Sequence, residues 1–148
     1  MLRFPISSLK WTRFWVIFLG EVIAAIMAAI EAVGYKVFDT DASKADLGKP
    51  FVVISGSDGN QSSETTMVGD GGEDVLRIKH VSTSADSVRK ALSLTRPALN
   101  NRRFTTTFGV VDVRFDATSE IYFDPDVTIP NFPTHPHICV DEYTLYVQ

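Results

Sequence analysis

The sequence contains a single cysteine, Cys139, in 148 residues. One cysteine excludes an internal disulfide and a metal site built on four cysteines. Neither of the phosphate-binding patterns GxxxxGK[ST] and GxGxxG occurs, and the GxSxG nucleophile elbow is also missing. Basic residues are outnumbered, with 14 Lys and Arg against 18 Asp and Glu and a net charge of −4. This balance disfavours a general nucleic-acid binder, which needs clustered positive charge.

The composition that remains is that of a folded domain. Hydrophobic residues make up 45% of the chain and charged residues 22%, which excludes disorder along its whole length. The length suits one domain, since domains usually run to about 100–200 residues. A chain of this size buries roughly 70% of its unfolded surface, so one core can hold it together without disulfides or metals.

The longest apolar stretch lies at residues 14–30 and contains one charge, Glu21. It allows three interpretations. A transmembrane helix needs about 20 apolar residues and tolerates a central carboxylate poorly. A signal peptide would combine the preceding basic residues, the apolar run and a cleavage site at Ala28 and Ala29. The third interpretation divides the stretch into a terminal extension and an ordinary packed helix.

The spacing of the apolar residues favours the third interpretation. They recur at steps of three and four, which places them on one helical face: Val22, Ile23, Ile26, Met27, Ile30 and Val33. Alanines fill the other positions, and Gly34 follows as a stop. We therefore predict an amino-terminal extension at residues 1–19, a helix at residues 20–33 and a single domain at residues 20–148. The aromatic residues of the extension need a partner, a neighbouring copy or a lipid surface to cover them.

The rest of the chain alternates strand patterns with polar, glycine-rich or proline-rich loops. Strands are predicted at residues 35–38, 50–56, 75–81, 105–115 and 138–147, with residues 119–123 as a continuation of the fourth. A second helix is predicted to start at residues 82–86, capped by Thr83 or Ser84, and to close or kink at Pro97. Loops are predicted at residues 39–49, 57–74 and 124–136, and a turn at residues 100–103.

This order of elements predicts an α+β fold. The economical arrangement is a mostly antiparallel sheet of about four to five strands, with two helices packed on one face. On the last strand, the predicted common face carries Cys139, Asp141, Tyr143, Leu145 and Val147.

One group of residues has the spacing of metal ligands. His135, His137 and Cys139 are two apart and would share a face of a strand. However, Pro136 interrupts strand pairing inside the triplet, and no fourth Cys or His lies nearby. We therefore predict no metal site, with Cys139 serving as a small apolar residue of the core.

The acidic residues also do not predict a metal or catalytic site. Asp58, Asn60 and Ser62 match the start of a calcium loop, but Ser63 and Gly69 break the pattern. A second group of carboxylates surrounds Arg114: Asp112, Asp116, Glu120, Asp124 and Asp126. It allows a glycosidase pair, but a solvated or channel-facing acidic surface is the favoured interpretation. The prediction is that the protein is not an enzyme and uses no cofactor.

Three segments resemble a known family: PFVVISGSDGNQS at residues 50–62, VLRIKHVSTSADSVRKALSLTRPAL at residues 75–99 and EYTLYVQ at residues 142–148. Together they resemble the tail terminator proteins of long-tailed siphophages. Those proteins are similar in size, with an amino-terminal helix, a strand that leads into a polar cap and helix, and a short alternating terminal strand. The resemblance covers residues 20–148.

The resemblance implies a structural virion protein. Tail terminators form a ring, commonly a hexamer, on the head-proximal end of the tail tube. The ring stops tube polymerisation and presents a surface to the head-completion or stopper proteins, while DNA only passes through its lumen. Membership would place the protein in the virion, and in the host cytoplasm during assembly, with no membrane partner.

The candidate interface residues come from polar loops and turns that could reach a neighbour or the tube. They are Asp58, Asn60, Glu64, Met67, Arg102, Arg103, Asp124, Asp126 and Phe132. The acidic residues near the carboxyl end, Asp124 and Asp126, could also line a negative lumen that DNA passes without binding.

Three other classes remain as alternatives. The first is another head–tail connector, such as a stopper or a tube-like subunit. The second is a small membrane-anchored protein that uses residues 14–30. The third is a small hydrolase or metal enzyme built on His135, His137 and Cys139.

Overall fold

A computed structural model describes residues 8–56, 72–107 and 109–147, with the backbone alone described at residues 8–19, 72 and 73. The described residues form two helices and seven strands. In chain order these are α1 (Ser8–Ala32), β1 (Lys36–Asp39), β2 (Phe51–Gly56), β3 (Gly72–Ser82), α2 (Ala85–Leu99), β4 (Arg102–Thr106), β5 (Gly109–Thr118), β6 (Tyr122–Phe123) and β7 (His137–Val147).

The strands form one mixed sheet in the order β1-β2-β3-β7-β5-β4, with β6 paired to β7 beyond the end of β5. Strands β1 and β2 are parallel, and the other pairs are antiparallel. The predicted α+β class with two helices is confirmed. The predicted strand count of four to five is wrong. The sheet is mixed because the connection at residues 40–50 brings the chain back to the end of the sheet where β1 starts, so that β2 runs in the same direction as β1.

Helix α1 begins at Ser8, so the predicted start at Gly20 is wrong and one helix crosses the predicted boundary. The twelve helical residues before Gly20 add roughly 18 Å to its length. The predicted stop at Gly34 is confirmed. Its φ of 102° is a left-handed conformation that glycine adopts without strain. No helix among the described residues combines the length and the apolar character that a membrane span requires.

Both helices pack on one face of the sheet. The main core there joins both helices to nine strand residues. Its buried members are Val22, Ile26, Ile30, Val37, Val52, Ile54, Leu76, Ile78, Leu99, Val111, Val113, Tyr143 and Leu145. On the opposite face, a smaller cluster of Phe51, Val53, Val81 and Ile138 is covered by apolar residues of the 40–49 loop. Helix α2 is capped by Ser84, whose hydroxyl accepts from the Ser87 amide at 3.2 Å. Pro97 lies inside the helix, which ends two residues later.

The predicted strand at residues 105–115 is instead a hairpin of β4 and β5. Thr105 and Phe115 therefore belong to different strands, with Gly109 opening the second at a φ of 152°. The predicted break at residues 116–118 is a bulge between Phe115 and Ala117, and β5 runs on to Thr118.

Candidate assembly surfaces

The first candidate surface is the sheet edge formed by β4. Arg102 and Arg103 lie in this strand, so the prediction that they form a turn is wrong. The Arg103 guanidinium donates to Asp112 across the hairpin at 2.8 Å, and this hydrogen bond lowers the pKa of the Asp112 carboxyl. The Arg102 guanidinium lies 5.7 Å from the centre of the Phe104 ring. Both arginines are exposed, and Arg102 presents its charge at an edge with no further strand among the described residues.

The second candidate surface is the proline-rich excursion at residues 124–136. It is ordered by its own hydrogen bonds, since the Asp124 amide donates to the Pro136 carbonyl at 3.0 Å and Ile129 to Thr134 at 3.3 Å. The Ile129 side chain is buried beneath it. The carboxylates of Asp124 and Asp126 sit in a turn at the base, where the Asp126 amide donates to Asp124 Oδ1 at 3.0 Å.

The tip of the excursion carries Phe132, whose side chain is 43% exposed. Its ring lies against Gly48 of the 40–49 loop, where an added Cβ would come within 3.1 Å of it. The structure thus separates the predicted residues into a basic edge, with Arg102 and Arg103, and an acidic turn, with Asp124 and Asp126. The other predicted positions, Asp58, Asn60, Glu64 and Met67, lie outside the described residues.

A third surface was not predicted from the sequence. A cavity of about 390 Å³ opens beside β1, where the end of α1 and the 40–49 loop meet the sheet. Three lysines and three aromatic residues line it: Tyr35, Lys36, Phe38, Lys44, Lys49 and Phe51. The lysines have no common spacing in the sequence, so only the fold of the loop brings them together.

The candidate metal ligands turn toward different partners. His135 Nδ1 lies 2.6 Å from the Val127 carbonyl, and His137 Nδ1 lies 3.0 Å from the His135 carbonyl. Cys139 is buried beside α2, with its Sγ 3.3 Å from Thr118 Oγ1. Across the described ranges, no three His, Cys, Asp or Glu side chains are grouped so that they could hold an ion.

A buried polar network joins α2 to the centre of the sheet. Asp141 is fully buried and receives two hydrogen bonds from the Arg96 guanidinium, at 2.8 and 2.9 Å. Beside it, His80 Nε2 lies 2.7 Å from Thr95 Oγ1. Burial lowers the pKa of His80 to about 4, although the Asp141 charge opposes the shift. His80 is therefore neutral near pH 7, and the network fixes the helix on the sheet.

The chain matches no protein-family model, and no curated protein sequence matches it significantly.

Proposed function

We propose that this protein is a tail terminator: a structural virion protein that caps the head-proximal end of a phage tail tube as a ring. The observation that carries the proposal is the pair of sheet edges. Within the described residues, β1 and β4 each pair with a single neighbour and lie at opposite ends of the strand order. Unpaired strand edges tend to join with another chain. Two different surfaces on one subunit give a head-to-tail contact, which closes into a ring when the rotation between copies allows it.

The placement of the resembling segments also supports the proposal. Their described residues fall on β2, on β3 with α2, and on the end of β7. Strands β3 and β7 pair along eleven positions at the centre of the sheet, and α2 packs against both. The resemblance to tail terminators is therefore carried by the centre of the domain.

The proposed ring is a homo-oligomer, with six copies as the expected number. One side of it binds the tail tube protein, and the other receives the head-completion or stopper protein. DNA passes through the lumen without being bound. The protein then acts in the virion at the head-proximal end of the tail, after assembly in the host cytoplasm.

The test is the mass of the purified full-length protein, measured by light scattering without detergent and followed by electron microscopy with tail tubes. A closed oligomer, or a monomer that forms rings at tube ends, is the expected result. A ring found in the neck and away from the tube end would favour another head–tail connector. Aggregates that only detergent disperses would contradict the proposal and favour a membrane segment at residues 14–30.

Neutralising the acidic turn tests whether it takes part in the ring. We expect the double variant Asp124→Asn and Asp126→Asn to reduce the infectivity of assembled particles, through weaker assembly or impaired DNA passage. Asp86→Asn, on the exposed side of α2, is the matched control and should leave infectivity unchanged. Full infectivity of the double variant would count against a role for these carboxylates.

A further inference from the structure

We infer that the lysine-lined cavity beside β1 binds the acidic turn of a neighbouring copy, and that this contact links the subunits head to tail. The inference rests on the proposed ring and adds a charged contact to its strand edges. We call the first surface the lysine pocket, defined by Lys36, Lys44 and Lys49, and the second the acidic turn, defined by Asp124 and Asp126.

Within the part of the chain that the structure describes, the lysines of the pocket have no ion-pair partner. The ion pairs among the described residues join other groups, and none of them includes Lys36, Lys44 or Lys49. One ammonium, that of Lys36, lies 5.5 Å from the centre of the Phe38 ring. A cation over an aromatic face remains available to a carboxylate. The pocket thus combines three cationic groups with an apolar wall.

The one carboxylate of the pocket is held by its own loop. Asp46 Oδ1 accepts a hydrogen bond from the Gly48 amide at 2.9 Å, and the Lys49 amide donates to the Asp46 carbonyl at 3.1 Å. The preceding Asp41 is held in the same way by the Ser43 amide, which lowers the pKa of the Asp41 carboxyl. These carboxylates shape the loop, and the excess charge that faces the cavity is positive.

The acidic turn has the complementary charge. Asp124 and Asp126 take part in none of the ion pairs among the described residues. Asp124 Oδ1 accepts from a backbone amide, which leaves its second oxygen available, and Asp126 is exposed. The turn is held to the start of β7 by the bond between Asp124 and Pro136. Its two charges are therefore presented on a fixed backbone.

Among the described residues, no ion pair joins the two surfaces within one subunit, although Phe132 at the tip of the excursion reaches Gly48 of the 40–49 loop. One continuous row of paired residues runs across the sheet: Lys36, Phe51, Val81, Ile138 and Tyr122. Four strand spacings of about 4.8 Å separate its ends by roughly 19 Å. Lys36 of the lysine pocket lies at one end of this row, and the acidic turn begins two residues after Tyr122 at the other end. Because exposed charges attract only weakly beyond about 8–10 Å in salt, Lys36 is left for the acidic turn of the next copy.

Charge reversal tests the contact in the full-length protein. The double variant Lys44→Glu and Lys49→Glu should weaken self-association roughly tenfold or more, and so should Asp124→Lys with Asp126→Lys, because each places like charges opposite one another. Combining all four changes should restore most of the lost association. Lys90→Glu, an exposed change on α2, is the matched control and should leave association unchanged.

A cross-link locates the contact directly. Lys49→Cys combined with Asp126→Cys should give covalent multimers under mild oxidation, with and without tail tubes. The pair Lys90→Cys with Asp126→Cys should not. The native Cys139 is 1% exposed and does not compete.

The outcomes separate this inference from the proposed function. One outcome would overturn the contact but not the capping function. In it, rings cap tail tubes, give no 49–126 cross-link and persist in both charge-reversal variants. Cross-linked multimers that never cap a tube would support the contact and overturn the function. No cross-link at any protein concentration would overturn the contact.

Discussion

Replacing Asp141 by alanine should lower the free energy of unfolding by about 3 kcal/mol, the low end of the range for a broken buried ion pair. Asp141 has no exposed surface and accepts two hydrogen bonds from Arg96. In the variant, the Arg96 guanidinium loses its carboxylate partner. Of its three hydrogen bonds, only the one to the Thr118 hydroxyl, at 3.1 Å, remains. The loss is moderated because the Arg96 side chain is 36% exposed and reaches water. Urea unfolding at pH 7 measures the change.

The next residue of the same strand supplies the control. Glu142 points to the opposite face of the sheet and pairs with Arg77 at 3.0 Å, where both side chains are at least one-third exposed. Glu142→Ala should cost less than about 1 kcal/mol, since exposed ion pairs contribute little. Equal losses in the two alanine variants would show that breaking the buried pair costs no more than breaking the exposed one. Arg96→Met combined with Asp141→Leu should recover part of the loss, because apolar residues can replace a buried pair.

Asp141 also shows what the sequence can and cannot predict. The alternating pattern of the last strand places it on the same face as Tyr143 and Leu145, and the structure confirms that face as the one under the helices. The partner that makes a buried carboxylate tolerable is Arg96, 45 positions earlier on α2. Helical periodicity predicts on which face of a helix an arginine lies. It does not predict which residue of the sheet that arginine contacts.

The errors in the predicted fold have similar local causes. The segment at residues 105–115 is rich in β-branched and aromatic residues on both sides of Gly109, so the pattern alone predicts one strand through the turn. The parallel pairing of β1 depends on the path of the 40–49 loop over the sheet, where Ala42, Ala45 and Leu47 pack on the second core. Short apolar residues spaced through a polar loop carry no strand or helix period.

The candidate surfaces divide in the same way. The polar and proline-rich sequence around Arg102, Arg103, Asp126 and Phe132 predicts that these residues are exposed. The structure confirms their exposure. Their role in an interface remains a prediction. The lysine pocket could not be selected, because its cations come from a strand and two parts of a loop. Only the strand register shows that Lys36 and the acidic turn lie at opposite ends of one row of paired residues.

Acid should destabilise the protein through His80 before its ordinary carboxylates are fully protonated. Burial lowers the pKa of His80 from 6.5 to about 4, so between these values the unfolded chain binds a proton that the folded protein does not. Stability from this group is complete above about pH 6.5 and falls as the pH drops toward 4. A shift of this size corresponds to a loss on the order of 3 kcal/mol.

The structure gives a geometric reason for the shift. His80 is 1% exposed, and its Nδ1 atom is buried with no hydrogen-bond partner among the described residues. In the cation both ring nitrogens carry protons, and the backbone groups of Cys139 and Ile78 favour this form less than burial disfavours it. The Arg96 charge also opposes protonation, while the Asp141 charge favours it. Desolvation is the largest of these effects, and it decides the sign.

The variant His80→Gln isolates the pH-dependent contribution of His80 to stability. An amide can still reach the Thr95 hydroxyl, but it does not titrate. Urea unfolding of both proteins from pH 7 to pH 4.5 should give curves that converge as the pH falls, because only the parent protein loses the histidine contribution. Curves that stay parallel over this range would mean that His80 is protonated in the folded protein. In that case the Asp141 carboxylate would interact with two cations, and both His80 and Arg96 would offset its negative charge beneath α2.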